Sequence, residues 1–391
     1  MTRRFSFILL LLACFIAGVM MAGRFRDPFA ADAQSPQGSP TSRISAPAPV
    51  SNGTTLVDFT RIAERTIPAV VNVSAQQVVR RRVIDPFSQL FGSPDDLFGT
   101  RRGVENSLGS GVIVGSDGYI LTNNHVVIGD AGAQRSVTIE QLDISVALSD
   151  KRELRAELVG YDPATDLALL KVDAKNLPSV PWGDSSKLKV AEWVLAIGNP
   201  YQLSETVTLG IVSAVGRTNL GVNAYEDFVQ TDAAINPGNS GGALVNARGE
   251  LIGINTVIFS QSGGYQGIGF AVSSNLAKKI FSDLQQYQEV RRGSIGPYVG
   301  EQLTTRQASA LKLTDTKGVL LSGLYRNTPP VQAGLLPGDV IVSFNGTTVE
   351  DPSHLNRLIS DAAIGSTAVL GVYRDGKRIE VKVPITRVRN R

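Results

Sequence analysis

The sequence predicts a mainly β protein: two small barrels followed by a smaller α+β unit. Three observations predict it. Short apolar runs recur every 8–12 residues or so between turn residues such as Ser116, Asp117 and Gly118, the pattern of a β-sandwich or barrel. Glycine is abundant at 39 residues while aromatic residues make up only 6%, which favours a turn-rich β protein over a helical one. The runs fall into two sets separated near Pro181, and a third unit with two helical stretches follows Arg291-Arg292-Gly293-Ser294.

The elements follow in order. MTRR precedes nineteen uncharged residues, 5–23, long enough to span a bilayer. Arg3 and Arg4 predict a cytoplasmic N-terminus and export of the remainder. Ala31-Asp32-Ala33 is a candidate cleavage site, but charges separate it from the apolar run, so 1–23 is read as an anchor, with a signal segment as the alternative. LLAC, 11–14, faintly resembles a lipoprotein site, but the apolar run continues past Cys14. Residues 24–55 have the Ala/Ser/Pro/Gln composition of a linker. A short helix is expected around 56–68, where Pro68 ends it. Seven apolar runs follow (VVNVSA, SGVIVG, YILTN, SVTIE, ISVALS, LRAELVGY, LALLKV), then six more (WVLAIG, ETVTLGIVSAV, FVQTDA, GALVN, LIGINTVIF, IGFAV). A helix over 273–290 closes this unit, 56–288. Residues 80–105 interrupt the pattern and read as a long loop. The third unit, 292–387, alternates strands with the helical stretches RQASALK and PSHLNRLISDA.

Composition excludes several functions. The net charge of +3 is too small to argue for nucleic acid. The single cysteine, Cys14, and the two histidines, His125 and His354, rule out an internal disulfide and Cys- or His-rich metal sites. No metal or cofactor is expected.

Three polar residues stand at strand ends. TNNHVV puts His125 just past an apolar strand. DPATDLALLKV puts Asp166 at the head of another. INPGNSGGALV puts Ser240 among glycines before a β-like run. A serine nucleophile needs a base, and the base needs a carboxylate to fix its tautomer. The chain supplies one of each. Each also has an ordinary reading, as strand cap, turn residue or glycine-turn serine, but one loop's chemistry does not predict the other two. GNSGG also fits the nucleophile elbow of α/β-hydrolases. That fold needs a helix after the serine and a later histidine; the segment after Ser240 is β-like, and the only later histidine, His354, lies in the third unit.

TNNHVV, DLALLKV, NPGNSGGAL and AGLLPGDVIVSFNG together resemble the HtrA (Deg) family of chymotrypsin-fold serine proteases with a C-terminal PDZ domain, over roughly 56–387. The single PDZ domain and N-terminal anchor resemble its DegS-like members. The resemblance implies a chymotrypsin-like double β-barrel and a small α+β PDZ domain. It implies that His125 is the general base and acid, Asp166 its orienting carboxylate and Ser240 the nucleophile. The N–H groups of Gly238 and Ser240, helped by that of Asn239, would form the oxyanion hole. Ala234 stands where trypsin-like enzymes carry an acid, so Lys or Arg at P1 is not expected; Ile258 would wall an apolar pocket for Val, Ala or Leu. Asn239 replaces the Asp that pairs with a new N-terminus, so activation by N-terminal cleavage is not implied. Regulation would act by ordering of loops at 80–105, about 200–206 and 216–227. The resemblance also implies a homotrimer, unfolded or regulatory protein substrates, and an extracytoplasmic location. The PDZ unit would grip peptide C-termini through Ser294-Ile295-Gly296-Pro297. Pro297 has no N–H to donate, which puts affinity in question. A second register, Tyr298-Val299-Gly300-Glu301, places Glu where an apolar residue is expected. A binding protein with an inactive protease unit is the competing reading, against which the complete Ser–His–Asp set argues.

Overall fold

Six strands close the first barrel: β1 (Val70–Ile84), β2 (Phe98–Ile113), β3 (Tyr119–Asn123), β4 (Val137–Ala147), β5 (Glu153–Asp162) and β6 (Leu167–Val172), in the antiparallel order β1-β2-β3-β6-β5-β4. A second barrel repeats that order with β7 (Trp193–Gly198), β8 (Thr206–Arg217), β9 (Phe228–Thr231), β10 (Ala243–Asn246), β11 (Leu251–Ile258) and β12 (Gly269–Ser273). The computed structural model describes residues 57–84, 98–129, 137–199, 205–218, 220–236, 238–258 and 265–388, with side chains except at 79–84, 98–102, 137–140 and 257–258. The expected membrane segment and the linker 24–55 lie outside these. Among the described residues no helix is long and apolar enough to cross a membrane.

The barrels meet because the strand between them is apolar on both faces. In WVLAIG, Val194 and Ala196 join the core inside the second barrel. Leu195 and Ile197 face the other way and pack in one cluster with Val71, Ile120 and Leu169 of the first barrel. Strands buried on both faces read as continuous apolar runs rather than alternating ones. Helix α1 (Phe59–Thr66) opens the described chain, its first turn capped by Asp58, whose carboxylate accepts the Arg61 N–H at 3.1 Å. A one-turn helix, α2 (Asn124–Ile128), follows β3. Helix α3 (Ser274–Tyr287) lays Ala277, Ile280 and Leu284 into the first barrel's cluster. Each such Ile or Leu contributes about 1.5–3 kcal/mol on burial.

The third unit begins with β13 (Gly293–Ser294), which pairs with β20 (Thr386–Arg387). Its main sheet runs β14 (Tyr298–Gln302), β15 (Val319–Leu324), β16 (Val340–Phe344), β18 (Thr367–Arg374), β19 (Lys377–Pro384), with β17 (Thr347–Thr348) beside β16. Three helices accompany it: α4 (Thr305–Ala310), α5 (Pro329–Gln332) and α6 (Pro352–Asp361). Leu321, Ile341, Leu355 and Leu370 centre its separate core.

The structure corrects the sequence reading at four places. Residues 80–84 and 98–105 are strand, not loop: β1 and β2 pair from Val70↔Val112 out to Ile84↔Phe98. Their arginines hide the β pattern because this outer stretch lacks apolar alternation; 85–97 lie outside the described residues. The runs SVTIE and ISVALS, expected as two strands, fall from Val137 to Ala147 in one strand, β4. Helices α2 and α5 were not foreseen, being too short to show helical periodicity and rich in β-branched residues or proline.

Candidate active site

The three strand-end residues come together where the barrels face each other. His125 sits in the first turn of α2, which Val126, Val127 and Ile128 anchor by burial. Its imidazole Nδ1 lies 2.8 Å from Asp166 Oδ2, and its backbone N–H donates to Asp166 Oδ1 at 3.0 Å. With Nδ1 donating to a carboxylate, the basic lone pair is at Nε2. The histidine side chain is 45% exposed and the aspartate 13%, so the ring reaches the surface while its partner is shielded.

Asp166 holds a left-handed backbone, φ 59°, which short polar residues tolerate best. Its carbonyl accepts the Asn124 N–H at 3.0 Å and Asn123 Nδ2 at 2.9 Å. Upstream on the same turn, Asp162 accepts Thr165 Oγ1 at 2.5 Å and a bidentate pair from Arg292, at 2.9 and 2.5 Å. The Arg292 guanidinium stacks 4.3 Å from the Tyr225 ring centroid, and the Tyr225 N–H donates to Ala164 O at 2.8 Å. The turn before Asp166 is thereby tied to the linker entering the third unit and to the 216–227 loop, where Glu226 accepts the N–H groups of Leu220, Val222 and Asn223.

Thr256 on β11, unnoticed in the sequence, joins the pieces. Its Oγ1 donates to Asp166 Oδ2 at 2.7 Å, and its carbonyl accepts the Ser240 hydroxyl at 3.1 Å. Among the described residues the Ser240 hydroxyl is bonded to Thr256 and not to His125. A polar Asn-Thr pair inside the apolar run LIGINTVI was the available signal.

The glycines around Ser240 answer to close approach. Gly241 has φ 82°, and a Cβ there would fall 2.1 Å from Ser110 O; one on Gly242 would fall 2.2 Å from Ile197 O. Gly238 has φ 103°. Among the described residues no acceptor is bonded to the N–H of Gly238 or Ser240. The Asn239 N–H is different: it donates to Asn236 O at 2.9 Å, so in this conformation it is not an open donor, contrary to the expectation that it would help the oxyanion hole. The buried Asn239 side chain donates to Ala234 O at 3.4 Å. Ile258 ends β11, its backbone opposite Gly269; its side chain lies outside the described residues.

In the third unit, Ser294 ends β13, Ile295 is buried, and Gly296, φ 98°, leads through Pro297 into β14. The alternative register falls inside β14. The Gly296 N–H donates to Ser294 Oγ at 2.9 Å. Edge strand β14 is tied to α6 by Tyr298, whose hydroxyl donates to Asn356 Oδ1 at 2.6 Å. Burial, with Tyr225 nearby as a lesser cause, holds the Tyr298 phenol well above the usual tyrosine range.

Paired antiparallel barrels of like topology, with His, Asp and Ser from both meeting between them and a small α+β unit behind, define a trypsin-like serine peptidase carrying a PDZ domain. Family models agree: a trypsin-like peptidase domain matches residues 109–254 and a PDZ domain residues 297–385. A relative from Pseudomonas putida, described as a probable periplasmic serine endoprotease, DegP-like, is 44% identical over 347 residues, 84% of this chain and 70% of the relative. One from Hahella chejuensis with the same description is 44% identical over 344 residues, again 84% and 70%. Two solved structures of the HtrA-type protease AlgW, one with a decapeptide and one with a tripeptide, match at 41% and 40% identity with TM-scores of 0.68 and 0.70. Each covers 85% of this chain, and 99% and 98% of theirs. The chain belongs to the HtrA family of serine endoproteases.

Proposed function

We propose that this chain is an extracytoplasmic endopeptidase that cleaves unfolded or regulatory proteins after small or medium aliphatic residues, with Ser240 as nucleophile. The observation that carries it is the Asp166 carboxylate shared by His125 Nδ1 and Thr256 Oγ1, with Ser240 on the carbonyl of the same Thr256. Asp166 holds the tautomer that leaves Nε2 free to act as base. Rotation of the Ser240 hydroxyl from Thr256 O to Nε2 starts the reaction. Ser240 Oγ adds to the scissile carbonyl, His125 takes its proton, and the N–H groups of Gly238 and Ser240 receive the oxyanion. His125 then protonates the leaving amine, and water, activated by the same base, hydrolyses the acyl-enzyme. Uncharged Ala234 supports an apolar P1, with Ile258 as a wall.

Location follows from the apolar segment 5–23, read as an anchor, and from the periplasmic description of the relatives. Trimeric assembly is supported by an apolar surface on the second barrel: Trp193, against which Phe59 sets its ring edge-on at 5.8 Å, and exposed Val207 and Leu209. Regulation by the 216–227 loop is supported by its hydrogen bond to the Asp166 turn and its ring contact with Arg292 of the linker. The PDZ groove would take peptide C-termini weakly. The test is cleavage of casein by the purified chain beside its Ser240→Ala variant. Loss of about 10⁴- to 10⁶-fold in kcat is expected; a variant that cleaves as the parent does would remove Ser240 as nucleophile.

A further inference from the structure

We propose that Ser110, on β2 of the first barrel, is the positioning residue that sets the oxyanion-binding N–H groups of the second barrel's 238–240 loop. The proposal rests on the reading of Ser240 as nucleophile.

Ser110 is fully buried, and each of its polar functions is engaged. Its N–H donates to Ser240 O at 2.8 Å and its hydroxyl to Gly238 O at 2.5 Å. The same hydroxyl oxygen accepts the Asn199 N–H at 2.8 Å, and the Ser110 carbonyl accepts Thr122 Oγ1 at 2.7 Å. Asn199 N–H can only donate, so the single hydroxyl proton of Ser110 has one place to go, the Gly238 carbonyl. Three of the four bonds cross from the first barrel to the second.

The consequence follows from peptide planarity. The Gly238 carbonyl and the Asn239 N–H belong to one rigid plane. Ser110 holds one end of that plane and Asn236 O the other. The next plane, carrying the Ser240 N–H, is held through Asn239 O, which accepts the Gly242 N–H at 2.9 Å. Glycine at 238 offers almost no steric resistance to rotation; the resistance comes from the Ser110 hydroxyl. Ser110 thus holds the planes on either side of the one that carries the Ser240 N–H, at 238–239 through Gly238 O and at 240–241 through Ser240 O. This N–H therefore stays fixed and, among the described residues, unbonded, and the Gly238 N–H is set through the rotation of the 238–239 plane beside it. Without the Ser110 hydroxyl, the Gly238 carbonyl and the Asn199 N–H lose their buried partner, and the 238–239 plane is held at the Asn236 end alone. The approach is tight: a Cβ on neighbouring Gly109 would come within 3.1 Å of Ser240 O.

The test measures kcat and KM on an apolar peptide substrate, and the affinity of a peptide aldehyde whose adduct places an oxyanion in the hole. Thermal melting first confirms that each variant folds. Direct loss of an oxyanion donor costs about 10²- to 10³-fold in kcat. An indirect release in Ser110→Ala is expected to cost about 10- to 100-fold, with KM within about threefold and aldehyde affinity falling alongside kcat. A merely structural serine would lower the melting temperature and leave kcat and aldehyde affinity of the folded enzyme alone; that result overturns the proposal. If Ser110→Ala does not fold, Ser110→Cys, a weaker donor in the same place, carries the same comparison. Ser240→Ala is run in parallel: if it cleaves as the parent does, the nucleophile reading fails; if it is dead while Ser110→Ala is unimpaired, only the role of Ser110 fails.

Discussion

Two glycine-bearing loops in this chain read as anion-binding from the sequence, and they differ in what their backbone N–H groups do at rest. Around Ser240, carbonyls at 238, 239 and 240 are pinned by Ser110 and Gly242, and among the described residues the N–H groups of Gly238 and Ser240 have no acceptor. In the PDZ loop, Gly296 spends its N–H on Ser294 Oγ, and Pro297 has none. In the first loop the carbonyls at 238–240 are bonded and, among the described residues, the N–H groups of Gly238 and Ser240 are not. The second is satisfied where the ligand would bind. Loop conformation alone does not make an anion site; what matters is which donors the fold leaves unoccupied.

The largest break in this comparison is expected from Gly241→Ala. Its Cβ would meet Ser110 O at 2.1 Å from a φ of 82°, so the pinned loop must move. A misplacement of about 1 Å lowers kcat/KM by roughly a hundredfold. Steady-state kinetics on folded protein checks it, and wild-type kcat/KM would show that the loop tolerates displacement. A smaller effect sharpens the second loop. Pro297→Ile restores an N–H and Ser294→Ala frees that of Gly296. Each is expected to strengthen binding of an apolar C-terminal peptide by about 1 kcal/mol, roughly fivefold. Calorimetric titration showing no gain in either variant would mean that the carboxylate is held elsewhere.

The smallest effect concerns Tyr298, beside that loop. Its phenol ionises later in the folded state than at the ordinary value of 10.0. Above that pH the unfolded chain binds fewer protons than the folded one, so stability falls as pH rises. Below it, the contribution is fully present. Urea midpoints from about pH 9 to 11 should therefore drop more steeply for the parent than for Tyr298→Phe. Equal slopes would place the phenol in water.

Most of the strands were legible because their runs are apolar, and the site was legible where its side chains are chemically unusual. His125, Asp166 and Ser240 each sit at a strand end with a polar group that a core does not need. Thr256 and Ser110 were not legible. Thr256 works through the Asp166 carboxylate and Ser110 through the Gly238 and Ser240 carbonyls, each on the other barrel, and no local pattern in GINTV or LGSGV encodes a partner across the chain. The outer parts of β1 and β2 were missed for a related reason: the stretch is rich in arginine, so the sequence carries no apolar alternation to reveal it. The engagement of the Asn239 N–H by Asn236 is likewise a matter of turn conformation rather than residue type.

The Arg292–Asp162 pair has a bearing on modularity. Both side chains are largely buried, 11% and 7% exposed, and removing one partner of such a pair costs about 3–5 kcal/mol because the other charge is stranded. The carboxylate belongs to the peptidase, four positions before Asp166, while its counter-charge belongs to the hinge into the PDZ domain. Recombination that swapped the C-terminal domain at the helix end would hand the peptidase an uncompensated anion beside the turn that carries Asp166. The border between the two modules, drawn from their cores, falls near the end of α3; drawn from this buried pair, it falls after Arg292.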